Sequence, residues 1–109
     1  KKLASMDMEE RYRLIMSTIF NAIGFRVEVE RMLATGRIDM IVTTENYIYV
    51  IELKLAKNGG VAAAEKQIIE NRYTEPFKAD KRKVIALAVE LDDQGKGLVD
   101  WKQVNVPKL

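Results

Sequence analysis

Cysteine and histidine are both missing from this chain of 109 residues. Without cysteine there are no disulfides, no thiolate nucleophile and no zinc–thiolate cage. Without histidine there is no imidazole general base and no histidine-centred triad. Long apolar runs are missing too: none approaches the roughly 20 residues that cross a bilayer. Two lysines open the chain, yet no hydrophobic stretch follows them as a secretory signal requires. These absences predict a cytoplasmic protein with no membrane partner. Nor is charge of one sign in excess, since 18 Lys and Arg face 16 Asp and Glu for a net charge of +2. Such a balance says little by itself about nucleic acid. Chemistry in this chain falls to carboxylates, lysines, hydroxyls or a bound metal.

What is present is a foldable pattern. An apolar fraction of 48% over 109 residues supports one globular domain with a single core and leaves no room for a second. No internal repeat or low-complexity stretch interrupts it. The order of elements reads helix, three strands, helix, strand, strand. Asp7 is placed to cap a helix running to about Ala22, with Tyr12, Ile15, Met16, Ile19, Phe20 and Ile23 at helical spacing and expected in the core. Gly24 ends it. Residues 25–32 alternate apolar and charged, as a half-buried strand does, which leaves Glu28 and Glu30 either near the site or, as the stronger expectation, exposed to solvent. Asn58-Gly59-Gly60 breaks the chain ahead of a helix to about Tyr73, on which Gln67 and Asn71 share a face. Residues 84–89 are continuously apolar, the mark of a strand buried on both faces. Residues 92–97 read as a solvated turn, Asp92-Asp93 included, before a last strand at 98–104.

The two central strands carry the chemistry. Gly36-Arg37-Ile38-Asp39-Met40-Ile41-Val42 and Tyr49-Val50-Ile51-Glu52-Leu53-Lys54-Leu55 bear Asp39, Glu52 and Lys54 within apolar sequence, where uncompensated charge is costly. If Glu45-Asn46 is a two-residue hairpin turn, Thr44 meets Tyr47 and Asp39 meets Glu52. Ile38, Met40 and Val42 then oppose Leu53, Ile51 and Tyr49 on one apolar face. Asp39, Ile41, Val50, Glu52 and Lys54 take the other. A slip of one residue would set apolar side chains against charges. Carboxylates directly opposite lie roughly 5 Å apart at Cβ and repel each other. A divalent cation between them converts repulsion into coordination. Magnesium suits the pair, being a hard ion that takes carboxylate oxygens and leaves positions for a phosphate. Asp39 and Glu52 would hold it, with the Leu53 carbonyl completing its shell. Lys54, about 7 Å along the strand from the acid, would orient a water or steady charge building on phosphorus.

Spacing alone does not establish this. Acid-x-Lys triplets are common in a chain with 31% charged residues, and Asp100-Trp101-Lys102 is a second one. Solvated strand charges with Lys54 paired to an acid would give the same string. Two basic clusters, Lys78, Lys81, Arg82 and Lys83, and Lys1, Lys2, Arg11 and Arg13, suit either phosphate contacts or a solvated surface.

Asp39, then twelve residues, then Glu52-Leu53-Lys54 resembles the signature of the PD-(D/E)XK nuclease superfamily. More narrowly, Gly36-Arg37-Ile38-Asp39, Glu52-Leu53-Lys54-Leu55, Gln67-Ile68, Tyr73 and Trp101 resemble the nuclease-like domain at the C-terminus of bacterial proteins that begin with an AAA-ATPase-like domain. The resemblance implies an α/β, restriction-endonuclease-like fold of three layers, with a mixed central sheet flanked by helices. It implies Mg2+- or Mn2+-dependent hydrolysis of nucleic acid, DNA in the first place, by Asp39, Glu52 and Lys54. Gln67 would help position Lys54 or substrate, and Glu10 or its neighbour Glu9 would approach the metal. It further implies that residues 1–109 are a single domain from the C-terminal part of a longer protein with an N-terminal AAA-ATPase-like partner, as the absence of an initial methionine also suggests. A homodimer would allow both strands of a duplex to be cut. Two departures stand out: Gln67 and Tyr73 are six apart, where related nucleases show Gln-x-x-x-Tyr, and Arg13 follows Tyr12 where the narrower family often has histidine. The rival expectation is a catalytically inactive module of the same fold that binds nucleic acid or regulates an attached ATPase. A third is a protein-interaction domain whose carboxylates are structural.

Overall fold

The computed structural model describes residues 5–107. Its elements run α1 (Met8–Ala22), β1 (Arg26–Leu33), β2 (Gly36–Thr43), β3 (Tyr47–Leu55), a 3-10 turn (Ala56–Asn58), α2 (Gly60–Glu70), a second 3-10 turn (Glu75–Phe77), β4 (Lys83–Leu91) and β5 (Leu98–Val104). The five strands form one mixed sheet in the order β1-β2-β3-β4-β5. All neighbours are antiparallel except β3 and β4. That parallel pair requires a crossover, which α2 supplies.

The two helices cover opposite faces. Ala64 and Ile68 of α2 pack with Ile41, Ile48, Val50, Ala86 and Ala88. On the other face Tyr12 of α1 packs with Met40, Val42, Ile51, Leu53, Leu55 and Leu91, supported by Met8, Met16 and Phe20. The architecture is therefore the expected three-layer α/β core. β4 sits between β3 and β5, and both clusters draw on it, which accounts for its continuous apolar run.

Local chemistry explains the boundaries. The Asp7 carboxylate accepts the Glu10 N–H at 2.8 Å, capping α1, and Glu9 and Glu10 complement the positive end of its dipole. The register of β2 with β3 is the one the Glu45-Asn46 turn dictates, with Met40 opposite Ile51 and Thr43 opposite Ile48. The last strand falls on Leu98–Val104 as read.

Three features differ from the sequence reading. First, α1 buries only one row of its apolar residues: Tyr12 is buried, whereas Ile15, Ile19 and Ile23 are 49%, 54% and 61% exposed. The sheet contacts the row Met8, Tyr12, Met16 and Phe20, spaced by four. The isoleucine row lies three residues further round and reaches past it. Second, α2 stops at Glu70 rather than near Tyr73. Arg72 turns into the left-handed region (φ 53°), and the fully buried Tyr73 drops back onto the core. Third, Ile38 does not share a face with Met40 and Val42 but packs in the α2 cluster, so alternation breaks around Asp39. Among the described residues no helix is long and apolar enough to cross a membrane.

Candidate active site

The regular ladder between β2 and β3 ends at Met40 and Ile51, one residue short of the two acids. Beyond that point side chains take over from the backbone. The Leu53 N–H donates to Asp39 Oδ2 at 2.9 Å, and the Asp39 N–H points at Glu52 Oε1 at 3.4 Å. Each strand thus satisfies a main-chain donor with the other strand's carboxylate. Both acids are enclosed, Asp39 3% and Glu52 1% exposed. The β1–β2 ladder is interrupted at the same level. Val29 pairs with Met40 and Arg31 with Ile38, but Glu30, opposite Asp39, is unpaired and stands at φ 55°. A non-glycine residue with positive φ inside a strand is strained, and such strain persists only where surrounding contacts hold it.

Those contacts involve Arg13 of α1, the third buried charged residue of the molecule's interior, 7% exposed. Its guanidinium binds Glu30 Oε1 through Nη2 and approaches Asp39 Oδ1 through Nη1 at 3.8 Å. Arg37 approaches the other Glu30 oxygen at 3.8 Å. All three buried charges of the described core therefore meet at the point where β1, β2 and β3 lose their regular pairing.

Burial, followed by the charge and hydrogen bonding of Asp39, pushes the Glu52 carboxyl up to about 9, against a smaller opposing pull from Lys54. In the absence of a cation Glu52 is a neutral acid beside Asp39 at neutral pH. Lys54 is half-buried, two residues along the same strand. Two hard oxygen donors, with the Glu52 carboxyl held protonated by burial beside Asp39, are a fitting donor set for Mg2+ or Mn2+, which would take the place of the Glu52 proton.

The remaining expected site residues fall nearby but in other company. Gln67 donates through Nε2 to the Tyr73 hydroxyl at 2.9 Å. That hydroxyl also accepts from the Arg37 N–H and from Asn71 Nδ2, both at 3.2 Å. Gln67 therefore supports the start of β2 through Tyr73. Glu10 and Glu9 line a cavity of about 340 Å3 with Asp7, Arg13, Glu30 and Arg37, and Glu9 also accepts from Asn58 Nδ2 at 3.4 Å. Among the described residues no three acidic groups converge as a ready metal cluster.

Outside the centre, several charges are already engaged. Asp92 accepts the Gln94 and Lys96 N–H groups, which lower its carboxyl below the usual range, and Asp93 accepts from Lys57. The second acid-x-Lys triplet lies on the edge strand β5, where Lys102 pairs with Glu65 at 2.8 Å. In the 78–83 cluster Lys78 pairs with Glu75 and Arg82 with Asp80. Of the N-terminal cluster, Lys1 and Lys2 lie outside the described residues.

Sequence reading leaves Glu30 between the site and solvent and gives Arg13 only as one of a basic cluster; it misses that the two meet beside Asp39. One signal for Glu30 was within reach. A two-residue turn at Ala34-Thr35 pairs Leu33 with Gly36, and counting back sets Glu30 opposite Asp39.

A family model described as the PD-(D/E)XK nuclease superfamily matches residues 7–101. The chain is also 26% identical over 93 residues to a protein described as uncharacterized, in the vnfD 5′ region, from Azotobacter chroococcum mcd 1. That match covers 85% of this chain and 18% of the relative, so the chain spans less than a fifth of the relative's length. No solved structure matches it.

Proposed function

Because the chain belongs to the PD-(D/E)XK nuclease superfamily, we propose that it hydrolyses phosphodiester bonds of nucleic acid, DNA in the first place, with Mg2+ or Mn2+. One observation carries the reading: two buried carboxylates from neighbouring strands meet where regular pairing stops, with Lys54 two residues beyond one of them. A nuclease of this family places its chemistry on such a junction, and burying two carboxylates where a regular backbone ladder could have continued is a cost that metal binding would offset.

Asp39 and Glu52 are the metal-holding residues in this reading, joined by the Leu53 carbonyl, with Glu10 approaching from the cavity side. The bound ion would supply Lewis acidity and a water of lowered pKa. The chain's own residues do the remainder. Glu52 gives up its proton on forming the site. Asp39, fixed by the Leu53 N–H, presents its second oxygen. Lys54 steadies the attacking water or the charge developing on phosphorus. Gln67 acts as a positioning residue, through Tyr73 and the start of β2. The larger assembly, an N-terminal AAA-ATPase-like partner and a dimer able to cut both strands, belongs to the same proposal.

A second reading keeps the fold without turnover, as a module that binds nucleic acid or regulates an attached ATPase. The lack of a third converging acid among the described residues favours it. Cleavage of labelled single- and double-stranded DNA and RNA with magnesium or manganese separates the two. Activity lost in folded Glu52→Ala and Lys54→Ala establishes the nuclease. An inert wild type that still binds nucleic acid establishes the module.

A further inference from the structure

The Arg13, Arg37 and Glu30 cluster has no part in the mechanism above, yet it adjoins Asp39. Two guanidinium groups face one carboxylate there: Arg13 binds Glu30 Oε1 and Arg37 lies 3.8 Å from Oε2. We propose that Arg13 and Arg37 form a seat for a backbone phosphate of the nucleic acid, and that Glu30 holds this seat in the unliganded protein until the strand displaces it. The proposal rests on the nuclease reading and names a substrate contact for that same site.

Position supports it first. Glu30 sits opposite Asp39 in the β1–β2 register, one strand spacing of about 4.8 Å away. A phosphate there would neighbour the scissile group along the same backbone. Chemistry supports it next. A carboxylate and a phosphate both present paired oxygens to the planar guanidinium fork, so one stands in for the other. The backbone adds a third argument. Glu30 is held at φ 55° where β1 should be regular, and its side chain, though 45% exposed, reaches two arginines.

Charge explains why the placeholder matters. With Glu30 in place, four acids, Asp7, Glu9, Glu10 and Glu30, face two arginines across the cavity. That balance repels anions. Moving Glu30 out exposes the guanidinium edges at the point nearest Asp39, while Asp7, Glu9 and Glu10 still discourage anions elsewhere. The seat therefore admits a phosphate already guided to the site and rejects stray anions.

The test reads binding without cleavage, using labelled short DNA, single- and double-stranded, with calcium in place of magnesium. Glu30→Gln tightens binding about tenfold by removing the competing charge. Arg37→Gln weakens it and lowers the salt slope by about 0.7–0.9, the loss of one phosphate contact. In the double variant most of the Glu30→Gln gain disappears. Glu30→Gly is the second variant, since it removes the carboxylate and suits the positive φ, and it should bind DNA tightly as well. Thermal unfolding checks that each variant is folded. Folded Glu30→Gln and Glu30→Gly proteins that bind no tighter than wild type would overturn the proposal, as would an Arg37→Gln protein with unchanged affinity and salt slope. If wild type cleaves and Asp39→Ala does not while those results are found, the phosphate seat falls and the nuclease stands. A wild type that neither binds nor cleaves DNA or RNA sinks both.

Discussion

At the scale of single residues, Glu52 ties stability to pH. Its carboxyl titrates at 4.5 when unperturbed and is pushed up to about 9 in the folded protein. Between those values the folded state keeps a proton that the unfolded chain has lost. Stability from this group is thus fully present below the lower value and declines as pH rises through the upper one. The metal-free domain should melt at a lower temperature at about pH 8 than at about pH 5, and Glu52→Gln should flatten that difference, as read by thermal scans in EDTA. Magnesium or manganese should restore more stability at the higher pH, because binding replaces a proton there. Lys54 tests the division of labour. Lys54→Ala should lower cleavage by about a hundredfold or more while leaving metal-dependent stabilisation, whereas Asp39→Asn removes both. Lys102→Ala, in the other acid-x-Lys triplet, should leave cleavage unchanged, since Lys102 lies on the edge strand β5 and pairs with Glu65 of α2.

At the scale of elements, the hinge of the site is the join between α2 and β2. The Tyr73 hydroxyl accepts from Arg37, Gln67 and Asn71, and a Cβ on Gly36 would come within 2.8 Å of it. Tyr73→Phe, which strands three donors, should cost about 1–3 kcal/mol in urea unfolding. Gly36→Ala should cost a comparable amount by pushing the ring away, with the acids themselves untouched. Much of this level was legible in the sequence. The β2–β3 register followed from the two-residue turn at Glu45-Asn46, although the apolar face used to test it does not extend to Ile38, and the Asp7 cap followed from the helix after it. What escaped was set by tertiary contact. Nothing local in Gln67-x-x-x-x-x-Tyr73 says that α2 will unwind at Arg72 so that the ring returns to the core. Likewise Glu28 and Glu30 alternate with valines in one string, yet only Glu30 lies within reach of Arg13, seventeen residues away on another element.

At the scale of the whole molecule, the sheet takes only one row of the helix laid on it, Met8, Tyr12, Met16 and Phe20. Ile15, Ile19 and Ile23 therefore contribute little to the core. Ile19→Gln should change stability by less than about 0.5 kcal/mol, against about 2–5 kcal/mol for Ile68→Ala in the interior. Equilibrium denaturation of both variants makes that comparison. The three-layer order was legible through the family resemblance, and the continuous apolar run of residues 84–89 told only that this strand is covered on both faces, not that its partner β3 runs parallel. The row of α1 that would face outward was not legible, since seven apolar positions on one helix offer more surface than the sheet accepts.

The lone parallel pairing of the sheet also governs how the protein comes together. Strands β1, β2 and β3 join by short turns, so Asp39, Glu52 and Lys54 meet early along a local meander. Ala88 of β4, the neighbour of Glu52 in the parallel register, can take its place only once the span 56–82 has closed, and the covered sheet in which Glu52 is buried is complete only then. Desolvation of the acid thus coincides with the slow, long-range step of assembly. Refolding should consequently slow as the solution becomes more alkaline, so that the speed of sheet closure, as much as turnover, carries the signature of the buried pair.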